Sequence, residues 1–193
     1  NAGHILGSSQ AELVLGEGED AFTLVFSGDY GNRISPLIKP PEPVKNADYV
    51  ITEATYGCVM KDFTPPFFKD FVDAVVAAVQ RGERVIIPAF VLSKSQKVIS
   101  VLAEEAYLGR IPENCPIIVT SPTVAALNEV YQKYLESDPK KYFSESSVQR
   151  RKWRNPFANE QFYFGSINSY RKKYGDIGTP AIFIVSSGMM DFA

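Results

Sequence analysis

The chain has 193 residues, 45% of them hydrophobic and 22% charged, with a formal net charge of −2. That length and mix suit one good-sized globular domain or a domain and a fraction, and exclude disorder by composition. The charge argues against a protein that grips nucleic acid through bulk positive potential, and no apolar run approaches the roughly 20 residues of a membrane span.

The first elements read as a hairpin. Leu13–Leu15 and Thr23–Phe26 have strand character and are joined by the turn-like stretch 16–20. Tyr49-Val-Ile-Thr52 follows as a strand expected to be buried, ending on Glu53. Thr64-Pro65-Pro66 reads as a helix start, with threonine as N-cap and proline in the first turn. Phe68, Phe71, Val72, Val75, Val76 and Val79 then recur at helical spacing until Gly82 closes the element.

Arg84–Pro88 is the next strand. Ser93-Lys-Ser-Gln96 has capping-box spacing and opens a helix through Val98, Val101, Leu102 and Ala106. Pro116–Thr120 is another strand, and Ser121-Pro122 starts a helix carrying Val124, Leu127, Val130, Tyr131, Tyr134 and Leu135. Residues 137–165 are polar, aromatic and poorly periodic, and Ala181–Val185 is a last strand running into Ser186-Ser187-Gly188.

Apolar strands separated by helices imply an α/β fold with a mostly parallel sheet covered on both faces. Ligands of such sheets collect at the carboxyl ends of the strands, where Asp29, Glu53, Ser121 and Ser186 stand. Hairpin-like strands and loops give way to regular strand-helix alternation near residues 57–64, so a domain boundary is expected there.

Three segments have the makings of a metal site. The one histidine, His4, follows a glycine, which leaves room for its imidazole to meet a metal; an ordinary polar histidine is the alternative. Asp29 ends a strand in Phe26-Ser-Gly-Asp29-Tyr30-Gly31, where a carboxylate could bridge two cations or simply shape a turn. Glu53 could orient a histidine from behind or cap the next element. The clusters Arg150, Arg151, Lys152, Arg154 and Arg171, Lys172, Lys173 could meet phosphates or form a solvated face.

Taken in order, Ala-Gly-His4 with Leu6-Gly7, Ser27-Gly-Asp-Tyr30 and Glu53-Ala-Thr-Tyr-Gly57 resemble the later motifs of the metallo-β-lactamase superfamily. Ile87-Pro-Ala-Phe90 with Gln96, Thr120-Ser-Pro122 and Ser186-Ser-Gly-Met-Met190 are similar to landmarks of its β-CASP branch, which processes RNA or DNA. Within that branch the chain resembles the endonuclease subunit of the cleavage and polyadenylation specificity factor and its prokaryotic homologues.

The resemblance implies residues 1–59 as part of a metallo-β-lactamase βαβα sandwich and residues 60–193 as most of a β-CASP cap. It implies a cleft with two zinc ions, His4 as a ligand, Asp29 as bridging carboxylate and a catalytic residue, and Glu53 as the acidic residue that orients a downstream histidine. Two cations stabilise the attacking and leaving oxygens of a phosphodiester and lower the pKa of water toward about 7. Ser121, Ser186, Ser187, Gly188 and Lys94 are the expected contacts to RNA phosphates.

The family's His-x-His-x-Asp-His signature and its two late histidines are not among these 193 residues. The expectation is therefore an internal fragment, inactive alone, of a zinc-dependent ribonuclease. Where relatives often carry Gly-Arg, this chain has Ser93-Lys94, which keeps the charge but loses the bidentate fork. A non-catalytic homologue that binds RNA or a paired homologous subunit is the alternative, as is a hydrolase of small esters or lactams. Homo-oligomerisation is a further expectation. Cys58 and Cys115 are expected as free thiols, and with no positive, apolar secretion signal in view the expected location is cytoplasmic.

Overall fold

A computed structural model describes residues 1–59, 66–151 and 155–186. Two separate sheets fall on either side of residues 60–65. In the first, β1 (Ala11–Leu15) pairs antiparallel with β2 (Phe22–Phe26), and β2 pairs parallel with β3 (Tyr49–Ile51). The connection between β1 and β2 contains a 3-10 turn at Gly18–Asp20. The expectation that 49–52 is a buried strand is corrected here: Tyr49, Val50 and Ile51 are 62%, 50% and 53% exposed. Their apolar character gives a strand, but no described element covers that surface.

The second part is built from α1 (Pro66–Gln80), β4 (Arg84–Pro88), α2 (Lys94–Tyr107), β5 (Ile117–Val119) and α3 (Pro122–Ser137). It continues with α4 (Pro139–Tyr142), α5 (Glu145–Arg151), β6 (Phe162–Phe164), α6 (Ile167–Tyr174) and β7 (Ala181–Val185). The four strands lie in the order β4-β7-β5-β6, all parallel. This is the expected α/β architecture, with the strand-helix alternation supplying the crossovers that parallel pairing requires. Thr64 and Pro65, read as a helix start, lie outside the described residues.

One face of the sheet carries the main core. Val72, Val75, Val76 and Val79 of α1, Ile99 and Leu102 of α2, and Val124, Tyr131 and Leu135 of α3 pack with Ile87, Ile117, Val119, Ile182 and Ile184. Each such side chain contributes about 1.5–3 kcal/mol by leaving water. Covering of the other face is uneven: Ile118, Ala181 and Ile177 pack with Tyr163, Tyr170 and Phe183 beneath α6, while Ile86 on β4 stays 59% exposed.

Residues 137–165, which lack periodicity, hold two short α-helices, a 3-10 turn at Pro156–Ala158 and the three-residue strand β6, whose register with β5 pairs Ile118 with Tyr163. The N-terminal part touches the second through residues 36–39. Ile38 bridges Phe143, the Lys39 amide donates to the Tyr142 carbonyl at 2.9 Å, and Ser147 Oγ donates to the Pro36 carbonyl at 2.7 Å. Leu37 and Ile38 are thereby buried in the main core. Among the described residues no helix is long and apolar enough to cross a membrane.

Candidate metal and phosphate site

His4 sits on a tight turn. The Ala2 amide donates to the Ser8 carbonyl at 3.0 Å, and Ser8 Oγ accepts from the amides of His4 and Ile5 at 3.1 and 3.3 Å. The serine thus holds the backbone under the histidine while the imidazole stays exposed. Asp29 lies three residues beyond β2, and Glu53 two beyond β3; because β2 and β3 are parallel, both leave the same edge of the sheet.

Three sets of hydrogen bonds tie these segments together. The Gly31 amide donates to the Ala2 carbonyl at 2.7 Å, which lays the Asp29 loop on the His4 turn. No side chain fits at that crossing, since a Cβ on Gly31 would stand 1.9 Å from the Gly3 oxygen and 2.6 Å from the His4 nitrogen. Glu53 Oε1 accepts from the Tyr30 amide at 3.2 Å and Oε2 from the Thr55 amide at 3.0 Å. Buried Ser27 closes the ladder: its amide donates to the Ile51 carbonyl at 2.9 Å and its Oγ accepts from the Glu53 amide at 3.1 Å.

Electrostatics at Glu53 follow from this. Hydrogen bonds from the Thr55 side chain and amide, then from the Tyr30 amide, hold its carboxyl below the usual range, with a smaller push from His4. Asp29 remains exposed beside it. One imidazole and one carboxylate are donors that suit zinc, but they fall short of the four ligands it takes. No three His, Cys, Asp or Glu side chains come together to hold a metal among the described residues.

The expected phosphate contacts lie on the second part. Ser121 is buried and acts as N-cap of α3, its Oγ accepting from the Val124 amide at 3.4 Å, with Pro122 in the first turn. Lys94 is exposed at the start of α2, and Ser186 is partly exposed just past β7. Ser187 and Gly188 lie outside the described residues, as do Lys152 and Arg154. Arg171, Lys172 and Lys173 are exposed on the last turn of α6.

The capping box read at Ser93-Lys-Ser-Gln96 does open α2 at Lys94, but the sequence did not reveal the backbone conformation of its first residue. Ser93, the N-cap, has φ 68°, a left-handed conformation that glycine adopts without cost. Gln96 Oε1 accepts from the Ser93 amide at 2.6 Å, the returning half of a capping box, whereas Ser93 Oγ has no partner among the described residues. Gln96 Nε2 in turn donates to Asn128 Oδ1 of α3 at 3.2 Å. Lys97, one residue on, was also passed over; it is half-buried, and burial, then Lys94, bring its pKa down to about 8.

Residues 95–192, just over half of the chain, match the Beta-Casp domain. The chain belongs to the β-CASP family. It is 32% identical to a transcription termination factor FttA of Methanosarcina mazei over 99% of this chain and 29% of that protein. To the ribonuclease TTHA0252 of Thermus thermophilus it is 29% identical over 98% of this chain and 41% of the relative. To an RNase aCSPSF2 of Saccharolobus solfataricus the identity is 38% over 55% of this chain and 21% of the relative. This β-CASP chain therefore spans less than half the length of each of these relatives.

Proposed function

We propose that the protein containing this chain hydrolyses RNA phosphodiester bonds at a two-zinc centre, with His4 and Asp29 among the ligands and Glu53 as the carboxylate that sets a catalytic histidine. The observation that carries this reading is the junction of three segments: Gly31 on the Ala2 carbonyl, and Glu53 on the Tyr30 amide. It gathers a histidine and two carboxylates at one edge, where a solvated turn has no need of them. Relatives named as ribonucleases and as termination factors support RNA as the substrate.

The remaining ligands come from segments of the longer protein outside these residues, so the chain alone neither retains zinc nor cleaves RNA. When bound there, zinc supplies Lewis acidity to the phosphate and a water of lowered pKa. This chain's own part is to hold Asp29 and His4 in register through the Gly31 crossing, and to keep Glu53 ionised through the Thr55 and Tyr30 amides. Lys94 and the backbone past Ser186 are the phosphate contacts; Ser121 adds its hydroxyl proton, its oxygen being engaged as a cap. We assign residues 1–59 to a metallo-β-lactamase portion and 60–193 to the cap, and place the protein in the cytoplasm.

The test is RNA cleavage and zinc content of the full-length protein beside its Asp29→Ala variant. Loss of turnover together with loss of zinc is the expected result. Unchanged cleavage by a zinc-depleted protein overturns the mechanism, and a variant equal to wild type, with neither cleaving but both binding RNA, moves the assignment to a scaffold subunit.

A further inference from the structure

Tyr131 lies in the middle of α3, where its neighbours at helical spacing, Val124, Asn128 and Leu135, face the core. Its ring is 1% exposed and wedged edge-on between Phe143 and Phe157, at centroid distances of 6.3 and 6.0 Å. Phe143 is the residue that bridges Ile38, so the ring stands where the N-terminal part docks on the cap.

The hydroxyl end is different. Burial raises the Tyr131 pKa, and two neighbours oppose it: the Leu6 backbone and the Ser93 side chain. A neighbour that favours the ionised phenol must present a donor, and from the backbone of Leu6 only the amide can do so. Neither contact closes to a hydrogen bond of normal geometry, and the hydroxyl has no other protein partner among the described residues. Ser93 Oγ and Asn128 Nδ2 are buried beside it in the same condition. Leaving such groups unpaired costs free energy that a core of apolar residues would avoid, so their clustering under one turn calls for a reason.

Leu6 belongs to the His4 turn. It packs on the main core, which Leu37 and Ile38 share with α1, α2 and α3, and the turn above it is closed by Ser8. We propose that Tyr131 is a positioning residue for His4: its hydroxyl closes on the Leu6 amide and fixes the height of the Ala2–Ser8 turn over the cap, with Ser93 and Asn128 holding the hydroxyl from below. Tyr131 touches no substrate; it acts through the turn, and its functional meaning rests on His4 being a zinc ligand.

In the protein that contains this chain, the His4 ring signals of a proton NMR spectrum are assigned by their loss in a His4→Gln variant. Tyr131→Phe keeps the ring and removes only the hydroxyl. Exchange of the Leu6 amide should then accelerate at least about five-fold, the equivalent of one net hydrogen bond. The His4 ring signals should move, while amides of β5 and β7 keep their rates. Unchanged Leu6 exchange and His4 signals overturn the proposal, as does equal acceleration throughout β5 and β7, which marks general loss of stability. If the variant does not fold, the wild-type Leu6 amide decides: protection supports the joint, and exchange at an open-loop rate sinks it. No metal enters these measurements, so a failed zinc reading and a failed joint are told apart.

Discussion

Lys97 offers a test of the electrostatics at the start of α2. Its ammonium is half-buried, and the charged neighbour acting on it is another cation, Lys94. The pKa falls from 10.5 to about 8, a drop of about 2.5 units, which at 1.36 kcal/mol per unit is about 3 kcal/mol of strain on the charged form. Part of the group remains in water, so the cost at neutral pH is discounted to about 1–2 kcal/mol. Below pH 8 both folded and unfolded chains carry the proton and the cost is fully present. Between about 8 and 10.5 the unfolded chain still binds it and the folded chain does not, so this contribution to stability rises with pH. Lys97→Met removes the charge and keeps an unbranched side chain. Urea unfolding at pH 7 should show the variant about 1–2 kcal/mol more stable, with the difference shrinking toward zero by pH 10.5. The difference is the quantity to follow, because Cys115, pushed up to about 11, drives wild type and variant alike the other way at high pH. A variant less stable than wild type at pH 7 refutes the reasoning and means that Lys97 has an anionic partner.

Ser93→Gly should stabilise the chain by about 1 kcal/mol, since it relieves a left-handed φ and deletes a buried hydroxyl, partly offset by a freer unfolded chain; a lower thermal midpoint would refute this. Gly31→Ala drives a methyl into the Gly3 carbonyl and should cost at least about 2 kcal/mol, separating the Asp29 loop from the His4 turn, as read by shifted His4 ring signals. Glu53 has a lowered pKa, so its contribution is present above the ordinary carboxylate value and lost as pH falls through the lowered one. Exchange of the Tyr30 and Thr55 amides should accelerate only in that acid range, and in Glu53→Gln at neutral pH too. Iodoacetamide should label exposed Cys58 at once and buried Cys115 only on unfolding; equal rates would contradict the burial that raises the Cys115 pKa.

Much of the second part was legible because its strands are short apolar runs bounded by polar or glycine-containing turns. The bounds of β4 and β7 agree with Arg84–Pro88 and Ala181–Val185. β6 and α6 were not legible: Phe162-Tyr-Phe164 is too short to show a period, and its strand conformation comes from pairing with β5. The expectation of burial at 49–52 failed because an apolar strand states what it can pack against, not whether a described neighbour is there. His4, Asp29 and Glu53 were singled out from their loop and strand-end settings and from motif order, and the structure joins their segments through the Gly31 and Tyr30 amides. The Gly31 crossing and the Tyr131 hydroxyl were hidden, since each depends on a partner more than 25 positions away in the chain.

These hidden contacts bear on how the candidate site is assembled. Asp29 and Glu53 are fixed by the parallel pairing of β2 with β3 and by the ladder through Ser27. Among the described residues no strand carries His4. Its turn is held from one side by Gly31 and from the other by the main core, through Leu6 packing. The carboxylates therefore follow the first sheet, whereas the imidazole answers to both parts. A shift of the cap would move His4 relative to Asp29 before it disturbed either carboxylate. On the proposed two-zinc reading, metal affinity depends on how residues 36–39 and the Leu6 contact seat the N-terminal part on the second part, a coupling that the proposed ligands alone do not reveal.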